Sequence, residues 1–172
     1  MPLLPPDRSS NRPHFAVALL TVWLLLTSPW VSMFRRIPPS AGWLDYVHVV
    51  AGLLALVLGV AYAWSCTRGG GWRLYFPWSP SLLPGVGRDL AGLLRGRVPS
   101  AEGGGLIGLI EGLLLVFLVA TALTGFAWLA TQGSDVALAW RGYHAVAAKG
   151  LIGLLVLHVA TVSLHLLDLL RD

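Results

Sequence analysis

Four stretches of the chain are almost continuously apolar, and most polar residues lie between them. The stretches cover about residues 14–34, 44–66, 105–131 and 142–168. Crossing ~30 Å of hydrocarbon takes roughly 20 helical residues, so each stretch is long enough to span a bilayer. Only helices and closed barrels satisfy their backbone in lipid. The pattern therefore predicts an all-α fold, an integral membrane four-helix bundle, with residues 1–172 as one membrane domain.

The connection between the second and third spans, residues 67–104, is the one long loop of this pattern, and it is rich in Gly and Pro. Within it the sequence GRDLAGLLRGR, residues 87–97, predicts a short amphipathic helix with Leu90, Leu93 and Leu94 facing lipid. We interpret the loop as an interfacial connector. A contact surface for a partner subunit is the alternative.

The positive charge of the chain indicates topology. The net charge is +4, but the arginines are scattered among apolar spans and do not cluster with aromatic residues, which argues against nucleic-acid binding. Arginines are more frequent in the two tails and the long loop than in the other two loops, which predicts that both termini are cytoplasmic. The first apolar stretch is longer than the core of a signal peptide, so we expect it to be a retained span.

The single cysteine of the chain excludes sites that need two or more cysteines. Cys66 is the single cysteine, so the chain forms no internal disulfide and has no Cys-x-x-Cys-His motif for covalent haem attachment. A thiolate metal cluster is excluded for the same reason. Any redox centre must then use other ligands, and histidine is the abundant candidate.

The five histidines fall at two depths of the predicted bilayer. On an ideal helix His158 lies about 40° from His144, and His165 about 20° further, so all three share one stripe. His144 and His158 are ~21 Å apart along the axis. Given the predicted topology, His48 shares an outer depth with His144. His14 shares an inner depth with either His158 or His165.

Two histidine pairs at two depths, contributed by facing helices, are what two haems need. A haem iron takes two axial ligands on opposite faces, and neutral imidazole suits iron. Small residues must flank a flat macrocycle, and the second and fourth spans offer Gly52, Gly59, Gly150 and Gly153. The alternative is a haem-free transporter or assembly factor whose histidines bond neighbouring helices or relay protons.

The chain resembles the bacterial cytochrome b561 family, which is similar to the cytochrome b subunits of nickel hydrogenases. The resemblance lies in the histidine that opens the first span, in YVHVVAG, and in YHAVAAKGLIGLLVLHVATVSLH. It implies two haem b groups, His48 with His144 and His14 with His158 as iron ligands, and electron exchange with a membrane quinone. It also implies a multi-pass protein of the bacterial cytoplasmic (inner) membrane, in contact with lipid.

One residue departs from the family pattern. Glu111 stands in the third span where members of the family often have a histidine. Together with His165, which the resemblance leaves as a non-ligand, Glu111 is the candidate for protonating a quinone near the inner haem. The alternative is a helix-end glutamate paired with an arginine of the long loop.

Two versions of the function follow from the resemblance. In the first, the chain is the membrane anchor of a larger oxidoreductase and links a soluble redox subunit to the quinone pool. In the second, it works alone as a superoxide–quinone oxidoreductase, whose outer arginines attract a small anion.

Overall fold

The computed structural model describes residues 11–76, 82–99 and 105–169, and this part of the chain contains helices and no strand. Contacts divide the chain into two compact units. Unit one comprises residues 1–63 and 119–147, and unit two comprises residues 64–118 and 148–172. The described helices are α1 (Asn11–Thr27), α2 (Trp43–Thr67), α3 (Trp72–Tyr75), α4 (Leu82–Leu93), α5 (Gly105–Ala130) and α6 (Val136–Leu169). Short 3-10 turns follow α1 and α2, at Ser28–Trp30 and Arg68–Gly70.

Four helical stretches of the described chain are long and apolar enough to cross a membrane. They are Arg12–Trp30, Trp43–Gly70, Gly105–Ala130 and Val136–Leu164. Large apolar side chains remain exposed along them, and Leu19, Val57 and Val156 are each more than half accessible. In water such exposure would be costly, whereas in a bilayer these side chains face lipid. The predicted all-helical fold, with four helices able to span a membrane, is confirmed for the described residues.

The first span ends earlier than the apolar pattern indicates. We expected it to continue to about residue 34, but α1 ends at Thr27. Pro29 explains the stop, because proline lacks a backbone N–H and disfavours helical geometry in the residue before it. The Leu25 carbonyl lacks its usual donor because Pro29 has no N–H, and the Ser28 hydroxyl donates to this carbonyl at 2.8 Å. The Thr27 hydroxyl donates to the Trp23 carbonyl, also at 2.8 Å.

The fourth span begins earlier than expected. We placed its start near residue 142, after Arg141, but α6 begins at Val136. Arg141 lies within the helix with an exposed side chain. A charge at a membrane end is tolerated when the side chain reaches the polar region, so Arg141 does not interrupt the helix. The helices α2 and α5 begin and end within one residue of the bounds predicted for the second and third spans.

In unit one, the loop between α1 and α2 (residues 31–42, the α1–α2 loop) is tied to the end of α5. Three hydrogen bonds join them: Trp128 Nε1–H to the Phe34 carbonyl (2.8 Å), the Ile37 N–H to Gln132 Oε1 (2.9 Å), and the Gly133 N–H to the Arg35 carbonyl (3.0 Å). An exposed ion pair between Arg35 and Asp135, at 2.8 Å, lies beside them. Backbone groups of the loop therefore find partners without forming regular structure.

In unit two, the predicted amphipathic helix is present but begins earlier. It runs over Leu82–Leu93 as α4, whereas the sequence pattern placed it over residues 87–97. Pro84 sits in its first turn, where the missing N–H costs nothing. Leu90, Leu93 and Leu94 are exposed, as a lipid-facing surface requires. Asp89 accepts the Leu106 N–H at 2.8 Å, so α4 caps the start of α5.

The indole of Trp128 gives a test of how the loop is held. Trp128 is only 4% exposed and donates to the loop at Phe34. We expect Trp128→Phe to lower the free energy of unfolding by about 1–3 kcal/mol, because the Phe34 carbonyl loses its donor and a void is left. Trp30→Phe is the matched control, since Trp30 is 71% exposed. Thermal unfolding in detergent, followed by circular dichroism, measures both. Equal melting temperatures for the two variants would contradict the assignment.

Candidate functional site

Two of the histidines face a single cavity in unit one. His48 lies in the second turn of α2 and His144 in the third turn of α6, and both are half-buried. The cavity and the open space at its mouth together comprise about 610 Å³. Most of its wall is apolar, with contributions from the α1–α2 loop, α2 and α5. Besides the histidines, it is lined by Val31, Ser32, Met33, Ile37, Asp45, Val49, Gly52, Leu53, Ala122, Gly125, Phe126, Trp128 and Leu129.

The hydrogen bond of His144 fixes which of its ring nitrogens is free. Nδ1 lies 2.9 Å from the backbone carbonyl of Thr121. A carbonyl only accepts, so the proton of this bond is on Nδ1. Nε2 then keeps its lone pair. A histidine that donates from one nitrogen to a carbonyl and binds metal through the other is the usual arrangement of a ligating imidazole.

His48 has an unsatisfied polar atom. Its Nδ1 is buried and has no hydrogen-bond partner. Buried polar atoms without partners are uncommon in native proteins and indicate an interaction with a bound group or solvent. A second imidazole facing the same cavity as His144 therefore fits a site in which a metal ion inside a macrocycle takes one ligand from each helix.

Gly125 allows His144 to approach α5. A Cβ atom built at residue 125 would lie 3.1 Å from both Cε1 and Nδ1 of the His144 ring, which is tighter than ordinary contact. A side chain here would push the imidazole away from Thr121. Sequence reasoning missed Gly125. Its spacing of one helical turn from Thr121 is the signal that a search for small residues in the third span could have used.

Asp45 is the second wall residue that sequence reasoning missed. It is 6% exposed and stands three residues before His48, so both side chains lie on one side of α2. Its Oδ1 accepts the Ser32 N–H at 2.6 Å and its Oδ2 accepts the Gly42 N–H at 2.8 Å. An acidic residue in the first turn of a helix is common, which hides its burial from a sequence pattern.

The small residues that we expected to flank a macrocycle have different surroundings. Gly52 lines the cavity and has open space where a side chain would be. Gly153 also faces open space. In unit two, by contrast, a Cβ at Gly150 would collide with the ring of Phe117. Gly150 therefore makes room for a phenylalanine of α5.

The predicted second pair, His14 and His158, is divided between the units. His14 lies in the first turn of α1 in unit one, and its side chain is exposed. Its ring centroid is 5.9 Å from that of Tyr62, with the planes inclined by 51°. His158 lies in α6 in unit two and is half-buried. The pairing of these two residues stays a prediction.

Glu111, the candidate for quinone protonation, lies in the second turn of α5 in unit two and is half-buried. The carbonyl of Tyr75 contacts the helix at the next residue, Gly112, where a Cβ would collide with it. Burial raises the pKa of the Tyr75 hydroxyl, and the nearby Cys66 and Glu111 raise this pKa further. Its predicted partner His165 belongs to α6, but its side chain lies outside the described residues.

The family comparison agrees with the resemblance that the sequence suggested. The family model described as prokaryotic cytochrome b561 matches residues 10–171, nearly the whole chain. Comparison with curated proteins and with solved structures gave no match.

Crowding at Gly125 tests whether the cavity holds a haem. If His144 is a haem ligand, we expect Gly125→Val to lower the haem content, because the added atoms displace the imidazole. Gly142→Val is the matched control, since Gly142 lies half a turn before His144 in α6 and a Cβ there meets nothing within 4 Å. Haem per polypeptide is measured by absorption after purification. Equal loss, or no loss, in both variants would contradict the proposed role of Gly125.

Proposed function

Because the chain belongs to the prokaryotic cytochrome b561 family, we propose that it is a diheme cytochrome that exchanges electrons with quinone in the bacterial inner membrane. Family membership makes it a b-type membrane cytochrome of electron transfer. The proposal adds the number of haems, their ligands and the quinone. The observation that carries it is the cavity that His48 and His144 share.

One haem would be held in that cavity by the imidazoles of His48 and His144. The haem supplies an iron that accepts and gives up one electron at a time. The protein supplies two imidazoles and largely apolar walls that keep water from the iron. The Thr121 carbonyl holds the His144 ring by its Nδ1–H, so that Nε2 points away from that bond. A fixed ring orientation lowers the cost of binding, because less freedom is lost.

The second haem is assigned to His14 and His158. Support comes from the sequence, because His158 stands fourteen residues after His144 and the two share one stripe on an ideal helix. Their ~21 Å separation along the axis leaves room for two macrocycles at different depths. His14 comes to this role from the family resemblance, in which a histidine that opens the first span is an iron ligand.

The topology is proposed from the arginine distribution. Residues flanking α1 at its start and those between α2 and α5 carry most of the arginines, which favours a cytoplasmic location for both termini. The His48–His144 site is then near the outer face of the membrane. A soluble redox subunit, or a small anion such as superoxide, would meet the protein on that face.

Quinone chemistry is assigned to Glu111. Reduction of a quinone takes up protons and oxidation of a quinol releases them, so the site needs a group that exchanges protons. A half-buried glutamate inside a membrane helix is expensive to keep unless it has a function. The contact between Gly112 and the Tyr75 carbonyl places the end of α3 beside it. His165 is proposed as the second proton carrier from the sequence alone.

The ligand assignment predicts haem content in single variants. Replacement of His48, His144, His14 or His158 by Ala should reduce the haem count from two per chain to one, because an iron with one protein ligand is held weakly. His165→Ala is the control, and it should retain two. Haem per polypeptide is measured from the reduced spectrum of purified protein. Two haems retained in the His144→Ala variant would overturn the assignment.

Glu111→Gln tests the proton exchange. The amide keeps the size of the side chain but cannot carry a proton, so quinol-driven haem reduction should slow by about 10²-fold. Glu111→Asp, which keeps the carboxyl group, should retain much of the rate. The haem spectrum of both variants should match that of the wild type, which separates proton transfer from haem loss. An unchanged rate in Glu111→Gln would remove Glu111 from the quinone site.

A further inference from the structure

Asp45 is an acidic side chain buried in the wall of the His48–His144 cavity. It is 6% exposed, and its neighbours in the wall are mostly apolar. Burying a charge in such surroundings costs a large free energy unless it is compensated. Asp45 must therefore be held by polar groups of the protein.

The hydrogen bonds of Asp45 indicate that it is ionised. Each of its two oxygens accepts a backbone N–H, from Ser32 and from Gly42. A protonated carboxyl would have to donate from one oxygen, and neither of these partners is an acceptor. Among the described residues, the one ion pair is that of Arg35 with Asp135, so Asp45 is not neutralised by a described lysine or arginine. Its negative charge remains in the cavity wall.

We propose that Asp45 is a fixed negative charge that lowers the reduction potential of the haem bound between His48 and His144. The inference rests on the proposed function, since it needs a haem in this cavity. An oxidised haem iron carries one more positive charge than a reduced one, so a nearby carboxylate stabilises the oxidised form. Charges interact strongly in apolar surroundings, where solvent does not screen them. Charge near the iron is one of the means by which a protein sets this potential.

A purely structural role for Asp45 makes a different prediction. Asp45 also ties down the α1–α2 loop through Ser32, and that loop lines the cavity. If Asp45 acted only by holding the loop, any change that loosened the loop would shift the haem midpoint to a similar degree. Gln132 holds the same loop through Ile37 but does not line the cavity and carries no charge. Gln132→Ala therefore loosens the loop without removing charge from the wall.

The test is a potentiometric titration of the haems in purified protein. Asp45→Asn keeps the shape but removes the charge and one of the two hydrogen-bond acceptors, and Gln132→Ala controls for the loosened loop. The midpoint of one haem should rise in Asp45→Asn while the other stays at its wild-type value. Asp45→Glu, which keeps the charge, and Gln132→Ala should leave both midpoints unchanged. Unchanged midpoints in Asp45→Asn would overturn the proposal, as would an equal rise in Gln132→Ala.

A second variant covers the case in which Asp45→Asn fails to incorporate haem. Ser32→Lys keeps Asp45 and brings an ammonium group to the wall from the loop, so the same midpoint should rise. An unchanged midpoint in this variant would also overturn the proposal. The failures are distinguishable: a wild type without two haems contradicts the proposed function, whereas two haems with insensitive midpoints contradict the role of Asp45 alone.

Discussion

Hydrocarbon offers no hydrogen bonds, and this constraint governs every polar group in the four spans. A backbone amide satisfies itself inside a helix, but an imidazole or carboxylate must find a partner in the protein or in a bound group. His144 finds the Thr121 carbonyl for one nitrogen. His48 is left with a buried Nδ1 that has no partner. The proposed haem site would give both rings a partner, in a place where polar side chains are costly to keep.

The same constraint links the site to the fold of unit one. The α1–α2 loop is irregular backbone, and its N–H and carbonyl groups bond to Trp128, Gln132, Gly133 and Asp45. Two of the loop residues that these bonds hold, Ser32 and Ile37, also line the cavity. The loop therefore forms part of the wall that His48 and His144 face, although His144 is distant from the loop in sequence.

The local sequence pattern predicted the helices and several site residues. The residues that it missed have roles that depend on contacts between distant parts of the chain. Runs of apolar residues predicted the four spans, and the predicted depths of the histidines paired His48 with His144. The end of α1 was wrong because hydropathy continued past Pro29, whereas backbone geometry did not. Gly125 and Asp45 were missed because their roles depend on His144 and Ser32, which are distant in the chain. The start of α4 was missed because the prediction rested on the GRDLAGLLRGR pattern alone, whereas the helix begins at Leu82 and accepts Pro84 in its first turn.

The central claim is that imidazoles from two different helices bind one haem iron in unit one. Magnetic circular dichroism of the purified, oxidised protein tests it most directly, since its near-infrared bands report the axial ligands of a haem. The account predicts low-spin haem with two imidazole ligands, at two haems per chain. A protein without haem, or one whose haem is high-spin or ligated by another residue type, would contradict it.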